Sequence, residues 1–309
     1  MKSHPLVIIL MATFNGASYL REQLDSIAKQ THQNWQLIVS DDGSVDETLS
    51  ILKAFQAGFP EGQVTIQSGP QKGSADNFMS MLKDESFKAD YYAFSDQDDV
   101  WLPNKIEVAI NQIDVHQKND LPFIYCSRTT YVDETLKECG VSPLFVFPRT
   151  FRNALVQSIA GGNTMVFNHA TKILCHQEKK LSVVVHDWWL YMLVSGVGGV
   201  VEYDPNPHIL YRQHKDSLIG GSHKLFDRFK NVIRIFNGEF QRVISLNVQA
   251  LDQVQHLFTH ENQEVYRLFK RMRIGNLKER VRLMLASGVY RQSARGTLSL
   301  VLAILFKKI

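Results

Sequence analysis

The sequence predicts an α/β fold: a parallel sheet covered by helices, followed by a mostly helical C-terminal region. Three observations point to it. Short apolar runs alternate with stretches of helical periodicity through the first half of the chain, the pattern that builds βαβ units. Acidic or polar clusters follow several of those runs, at the carboxyl ends of strands where open α/β sheets place their ligands. From about Leu225 the pattern turns helical to the end and the charge changes sign, with 16 Lys+Arg against 6 Asp+Glu from Lys224 onward (+10) and −7 before it.

Leu6–Met11 reads as the first strand. Ser18–Ala28 has Leu20, Leu24 and Ile27 at helical spacing. Trp35–Ser40 is a second strand ending in Asp41-Asp42-Gly43-Ser44, and Ser44-x-x-Glu47 has the form of a capping box opening a helix with Leu49, Leu52 and Phe55 inward. Val64–Gln67 is a short strand, followed by the loop Gly69-Pro70-Gln71-Lys72-Gly73 and a helix near Asn77–Leu82. Tyr91–Phe94 is a strand that ends in Ser95-Asp96-Gln97-Asp98-Asp99. A helix runs from Pro103 to about His116, and Phe123–Tyr131 reads as a strand. Pro143 to Gly162 is loop-rich. Asp187–Val194 reads as a helix carrying Trp188, Trp189 and Tyr191, and Gly198–Asp204 as an extended segment.

A length of 309 residues suits one large α/β domain, or a domain of about 200 residues with an appendage. Hydrophobic content of 44% with 21% charged residues excludes wholesale disorder and coiled coil. Cys126, Cys139 and Cys175 are odd in number and lack metal-ligand spacing, which fits a reducing cytoplasm. Neither Leu6–Ala12 nor Gly296–Phe306 approaches the roughly 20 apolar residues that span a bilayer. The expected domains are 1–222, acidic and catalytic, and 223–309, basic and helical.

Asp96, Asp98 and Asp99 repel one another unless a cation sits among them or some are protonated. Hard oxygen ligands favour Mg²⁺ or Mn²⁺ shared with substrate phosphates, and a solvated acidic turn is the plain alternative. Asp41-Asp42 reads either as a turn or as carboxylates accepting from a nucleobase N–H. Thr13-x-Asn15 reads either as a helix cap or as part of the same site.

The segments LVIILMATFNGASYLREQLDSIAKQT (6–31), WQLIVSDDGSVDET (35–48), FSDQDDVWLPNKI (94–106), HDWWL (186–190) and YRQHKDSLIG (211–220) together resemble family-2 glycosyltransferases with the Rossmann-like GT-A fold. SDQDDVWLP with DWWL and YRQH is most similar to rhamnosyltransferase-like members. The resemblance implies an inverting transfer of a sugar from a nucleotide-diphosphate donor. Deoxythymidine-diphosphate rhamnose is the first choice of donor and a uridine-diphosphate hexose the second. The acceptor would be a saccharide or lipid-linked saccharide in bacterial surface polysaccharide assembly, at the cytoplasmic face of the membrane. It places Thr13, Asn15 and Asp42, with Asp41 beside them, around base and ribose. Asp98 would contact ribose or metal, Asp99 would be the principal ligand of Mg²⁺ or Mn²⁺, His214 a further metal or diphosphate contact, and Asp187 the general base.

The chain departs from the family pattern at several places. His186-Asp187 stands where many relatives have Glu-Asp, Lys72 and Asp76 stand near the third loop where an Arg is common, and the Gln-x-x-Arg-Trp motif of processive synthases is absent.

Other signals are weaker. His256-x-x-x-His260 has zinc-like spacing but reads as an amphipathic helix. Trp188 and Trp189 read as acceptor-stacking or core residues, and Gly161-Gly162-Asn163 as a close approach to the donor or a turn. The basic C-terminal region reads as a solvated helical face or as a surface for an anionic membrane. No nucleic-acid reader motif accompanies it. A metal-dependent phosphohydrolase and a noncatalytic nucleotide-sugar binder are the rival classes.

Overall fold

Val7 to Met11 are buried without a polar break, as a strand covered on both faces requires. In a computed structural model, which describes residues 4–116, 121–159, 161–176, 183–213 and 238–309, they form β1 (Val7–Thr13). β1 pairs in parallel with β2 (Trp35–Asp41) and with β4 (Tyr91–Ser95), and β2 with β3 (Val64–Ser68). These strands run past the stretches read from sequence, β1 by two residues and the others by one, because the parallel register carries the ladder on, aligning Thr13 with Asp41 and Asp41 with Ser68. The intervening helices are α1 (Leu20–Ala28), α2 (Thr48–Gln56) and α3 (Ser74–Lys83). Leu20, Leu24 and Ile27 of α1 and Leu52 and Phe55 of α2 are buried as expected, whereas Leu49 is only half-buried.

One local expectation fails. Ser44 does not cap α2; the Asp46 carboxylate accepts from Thr48 N at 3.0 Å instead, and the Ser44 hydroxyl is spent on Asp41.

The sheet continues as β3-β2-β1-β4-β8-β6-β9-β5. Here β5 is Val100–Trp101, β6 Phe123–Val132, β8 Val166–Asn168 and β9 Val200–Arg212, while β7 (Glu138–Val141) pairs with β6. The added pairings β4–β8, β6–β8 and β5–β9 are antiparallel, so the parallel half is extended by antiparallel strands and the sheet as a whole is mixed. β9 runs well past the extended segment expected to end at Asp204, delivering Arg212 to the acidic loop. Helices α4 (Lys105–His116) and α6 (His169–Leu174) pack on β6 and β8.

The chain divides into two units. The first lies within Met1–Leu144, Ala160–Lys179 and Glu202–Gly221, the second within Phe145–Ile159, Lys180–Val201 and Ser222–Ile309. In the second, the loop-rich stretch before Gly162 supplies α5 (Phe151–Ala154), which packs on α7 (His186–Gly196). Its remaining described helices are α8 (Glu239–Val254), α9 (His260–Ile274), α10 (Leu277–Ser287) and α11 (Ala294–Leu305). Phe258 joins its core, with its ring centroid 4.9 Å from that of Phe151 and 5.8 Å from that of Tyr266. Asn262 donates to the Ser195 and Gly196 carbonyls, satisfying the last turn of α7. His256 lies in a short 3₁₀ turn and His260 opens α9, so the two do not share a helix face. Among the described residues no helix is long and apolar enough to cross a membrane.

Candidate active site

The carboxyl ends of β1, β2 and β4 open into a cleft of about 930 Å³ in the first unit. Its lining comes from the strand ends and the segments after them: Thr13 at the end of β1 with Asn15 and Tyr19 beyond it, Asp42 after β2, Gln71 and Asn77 after β3, and Asp96, Gln97 and Asp98 after β4. The structure thus gathers Thr13, Asn15, Asp42 and Asp98 around one space.

Asp41 has a different task. It is buried, and its Oδ1 accepts from the Thr13 hydroxyl at 2.9 Å and the Ser44 hydroxyl at 2.6 Å. Its Oδ2 accepts from Ser44 N at 2.8 Å and Gly43 N at 3.2 Å. Asp41 therefore ties the ends of β1 and β2 together and holds the turn that presents Asp42. Asp42 accepts from Gln71 N at 2.7 Å and Gly73 N at 2.8 Å, one bond to each oxygen. A carboxylate oxygen has room for a second acceptor bond, so half-exposed Asp42 keeps capacity toward the cleft. Asn15 adopts φ 48°, a left-handed conformation that Asn tolerates, and its Oδ1 accepts from Val45 N at 2.9 Å.

The acidic loop divides its three carboxylates. Asp96 and Asp98 line the cleft. Asp99 does not: it is fully buried, accepting from Asn163 Nδ2 at 2.6 Å and from Arg212 N at 3.3 Å. Burial first, then the charges of Asp98 and Asp96, push its carboxyl well above the usual range. Lys105 is one of the buried cations nearby. Its Nζ lies 3.5 Å from the Trp101 ring centroid, and burial pushes it down to about 7 against the pull of Asp99 and Asp96. Gly162–Thr164 forms a 3₁₀ turn whose Asn163 serves Asp99. His214 lies outside the described residues.

Two organising residues are not evident from sequence. Gln97 makes a two-point contact with Phe14, accepting from its N–H at 2.9 Å and donating to its carbonyl at 3.0 Å. A Cβ on Gly16 would stand 2.3 Å from Gln97 Oε1, so a side chain there would push the Gln97 amide off Phe14. Arg212 is fully buried and donates to the Asp98 carbonyl at 2.9 Å, the Glu134 carbonyl at 2.6 Å and the Glu22 carboxylate, with its guanidinium 4.4 Å from the Tyr19 ring centroid. The YRQH segment is visible in the sequence. That its Arg would bolt the acidic loop to α1 depends on β9 pairing.

A family model described as glycosyl transferase family 2 matches residues 8–171, more than half of the chain, running from within β1 to beyond β8. The chain belongs to that family. The family-2 assignment accounts for the fold and for the cleft at the carboxyl edge, and the chain is a glycosyltransferase. It is 28% identical over 255 residues to "dTDP-rhamnosyl transferase RfbG" of Shigella flexneri, covering 78% of this chain and 84% of that one. It is 31% identical over 168 residues to the Escherichia coli "UDP-Glc:alpha-D-GlcNAc-diphosphoundecaprenol beta-1,3-glucosyltransferase WfgD", covering 48% of this chain and 62% of that one. Among solved structures it resembles the mannosyltransferase PcManGT of Pyrobaculum calidifontis in complex with GDP-Man and Mn²⁺. That match has a TM-score of 0.52 and 16% identity, covering 99% of this chain and 86% of the other. The match to S. aureus TarS 1-349 in complex with UDP-GlcNAc also has a TM-score of 0.52 and 16% identity, covering 91% and 79%. At these identities the two structures establish the fold.

In the second unit, Asp187 occupies the first turn of α7, where a carboxylate is favoured by the helix dipole, and accepts from Trp188 N. Trp189 is core; Trp188 is half-buried and its indole N–H is given to the Ala154 carbonyl at 2.7 Å. His186 is buried, and burial pushes its imidazole down to about 3. It stands beside Asp187 as a neutral ring.

Gly16→Ala is expected to destabilise the protein by about 1–3 kcal/mol through the clash with Gln97. In a Gln97→Ala background that cost should fall below about 0.5 kcal/mol, as read from urea unfolding in a double-mutant cycle. Equal costs in both backgrounds would disprove the contact. His186 has a folded value below its unfolded value of about 6.5, so the unfolded chain binds the extra proton. Its contribution to stability is complete above pH 6.5 and is lost as pH falls toward 3. Between about pH 6 and pH 4, His186→Phe should therefore lose stability less steeply than the wild type, by up to about 1.4 kcal/mol per pH unit. Parallel profiles would show that His186 is not buried neutral.

Proposed function

We propose that this family-2 enzyme transfers a sugar with inversion from a pyrimidine nucleotide-diphosphate donor to a saccharide or lipid-linked acceptor of a bacterial surface polysaccharide. The setting would be the inner face of the plasma membrane. The observation that carries this reading is the cleft that puts half-exposed Asp42 and the carboxylates of Asp96 and Asp98 around one space at the sheet's carboxyl edge. Asp42 suits the imide N–H shared by thymine and uracil. The printed name of the S. flexneri relative favours dTDP-rhamnose. A uridine-diphosphate hexose is the second choice, supported by the E. coli relative.

A divalent cation fits the cleft. Asp96 and Asp98 face it close to buried Asp99, so negative charge is concentrated there, and among the described residues no set of three or more His, Cys, Asp or Glu forms a protein cage. Such a site suits Mg²⁺ or Mn²⁺ completed by diphosphate oxygens. Asp98, with Asp96, would hold the ion. Asp99, expected from the resemblance to be its principal ligand, would act through the hydrogen bonds of Asn163 and Arg212 that fix the loop. When bound, the ion would supply charge stabilisation to the departing diphosphate.

Asp187 would take the proton of an acceptor hydroxyl as that oxygen attacks the anomeric carbon from the face opposite the leaving group. The nucleoside diphosphate departs and no covalent enzyme intermediate forms. Neutral His186 leaves the Asp187 carboxylate without an adjacent like charge.

Asp187→Asn is expected to lower transfer by about 10²–10⁴-fold with donor affinity within about twofold of wild type. Asp98→Asn should abolish the stabilisation by dTDP-rhamnose plus Mn²⁺ in thermal shift. Release of free phosphate would make the protein a hydrolase, and binding without turnover a nucleotide-sugar binder. Loss of donor binding in Asp187→Asn would remove Asp187 from the base role.

A further inference from the structure

The outer face of α10 (Leu277–Ser287) has no part in the transfer chemistry. The helix buries Leu283 and Ser287. With 3.6 residues per turn, the opposite side carries Leu277, Lys278, Val281, Arg282 and Leu285 within an arc of about 140°. All five are exposed, the apolar three by 55%, 37% and 73%. The two cations sit along one edge of the apolar row. Glu279, the acid of this helix, is turned back into a capping box, accepting from Asn276 N at 3.2 Å, so no carboxylate interrupts the row. α11 (Ala294–Leu305) repeats the theme: Leu298, Leu302 and Phe306 are exposed at four-residue spacing, with exposed Arg295 and Lys307 near its ends.

A row of large exposed apolar side chains marks a docking surface. A second copy of the chain would bring two more cations to a helix face that, among the described residues, carries no acid to meet them. An anionic leaflet satisfies both parts: the acyl boundary takes the leucines and valine, and the lipid phosphates meet Lys278 and Arg282. The net charge of +10 from Lys224 onward acts in the same direction.

We propose that the face of α10 formed by Leu277, Lys278, Val281, Arg282 and Leu285 docks the protein on an anionic membrane surface. The inference specifies the contact behind the membrane setting proposed above, and it does not depend on which sugar is moved or on the role of Asp187.

The test is co-sedimentation of the full chain with vesicles of phosphatidylglycerol mixed with phosphatidylcholine, and with vesicles of phosphatidylcholine alone. The wild type should partition onto the anionic vesicles and be released by high salt. Lys278→Gln with Arg282→Gln should weaken partitioning about 25-fold, roughly fivefold per cation. Leu277→Gln with Leu285→Gln should weaken it by at least about tenfold. Both double variants should keep the wild-type circular dichroism spectrum and sugar transfer to a soluble acceptor, which separates failure of docking from failure of folding or of the transferase reading. Equal partitioning onto neutral vesicles, no partitioning onto anionic ones, or indifference to both double variants would overturn the proposal. So would a solution dimer that the leucine variant dissolves in a protein that ignores vesicles.

Discussion

Placing three carboxylates within four positions at the end of a buried strand is the constraint from which the arrangement of the first unit follows. Their mutual repulsion is met by dividing them. Asp99 turns inward, where Asn163 and the Arg212 amide donate to it. Asp96 and Asp98 turn to the cleft. The division needs a rigid loop, and rigidity comes from both sides: Gln97 locks onto Phe14 of the β1 loop, and the Arg212 guanidinium holds the Asp98 carbonyl. Removing water from charged groups is expensive unless each finds a partner, so buried Asp99 is matched by donors from distant parts of the chain, Asn163 and Arg212.

The same logic governs the floor of the cleft. Asp41 and Asp42 are adjacent in sequence but point to opposite tasks, because successive residues at a strand end face opposite sides. Asp41 gathers four donors and fastens β1 to β2. Asp42 takes two backbone N–H groups from the β3 loop and stays half-exposed. The loops after β2 and β4 thus each hold one carboxylate fixed in the interior and turn another to the cleft, an arrangement that lowers the ordering cost of binding.

In the second unit, Asp187 has a similar economy. The helix N-terminus stabilises its charge, and the neighbouring His186 is kept neutral by burial. α7 is in turn held by Asn262 at its last turn and by the aromatic group of Phe151, Phe258 and Tyr266. The basic helices therefore do more than bear charge: they complete the core that supports the α7 segment.

Local pattern alone determined the parallel half of the sheet, its helices and the clustering of polar residues at strand ends, since burial on both faces leaves uninterrupted apolar runs and helices leave their spacing in the sequence. The ordered motifs also determined the family, and with it Thr13, Asn15, Asp42, Asp98 and Asp187 as candidates. Only tertiary structure decided which carboxylate of each cluster is buried, that Ser44 serves Asp41 rather than a helix cap, that Gln97 and Arg212 are the organisers, and that Trp189 is core. Those outcomes depend on partners far along the chain, such as Thr13 for Asp41, Phe14 for Gln97 and Glu22 for Arg212, or on a competition between acceptors for the same donor. Neither leaves a periodicity to read, because a long-range hydrogen bond constrains two residue types without constraining anything between them.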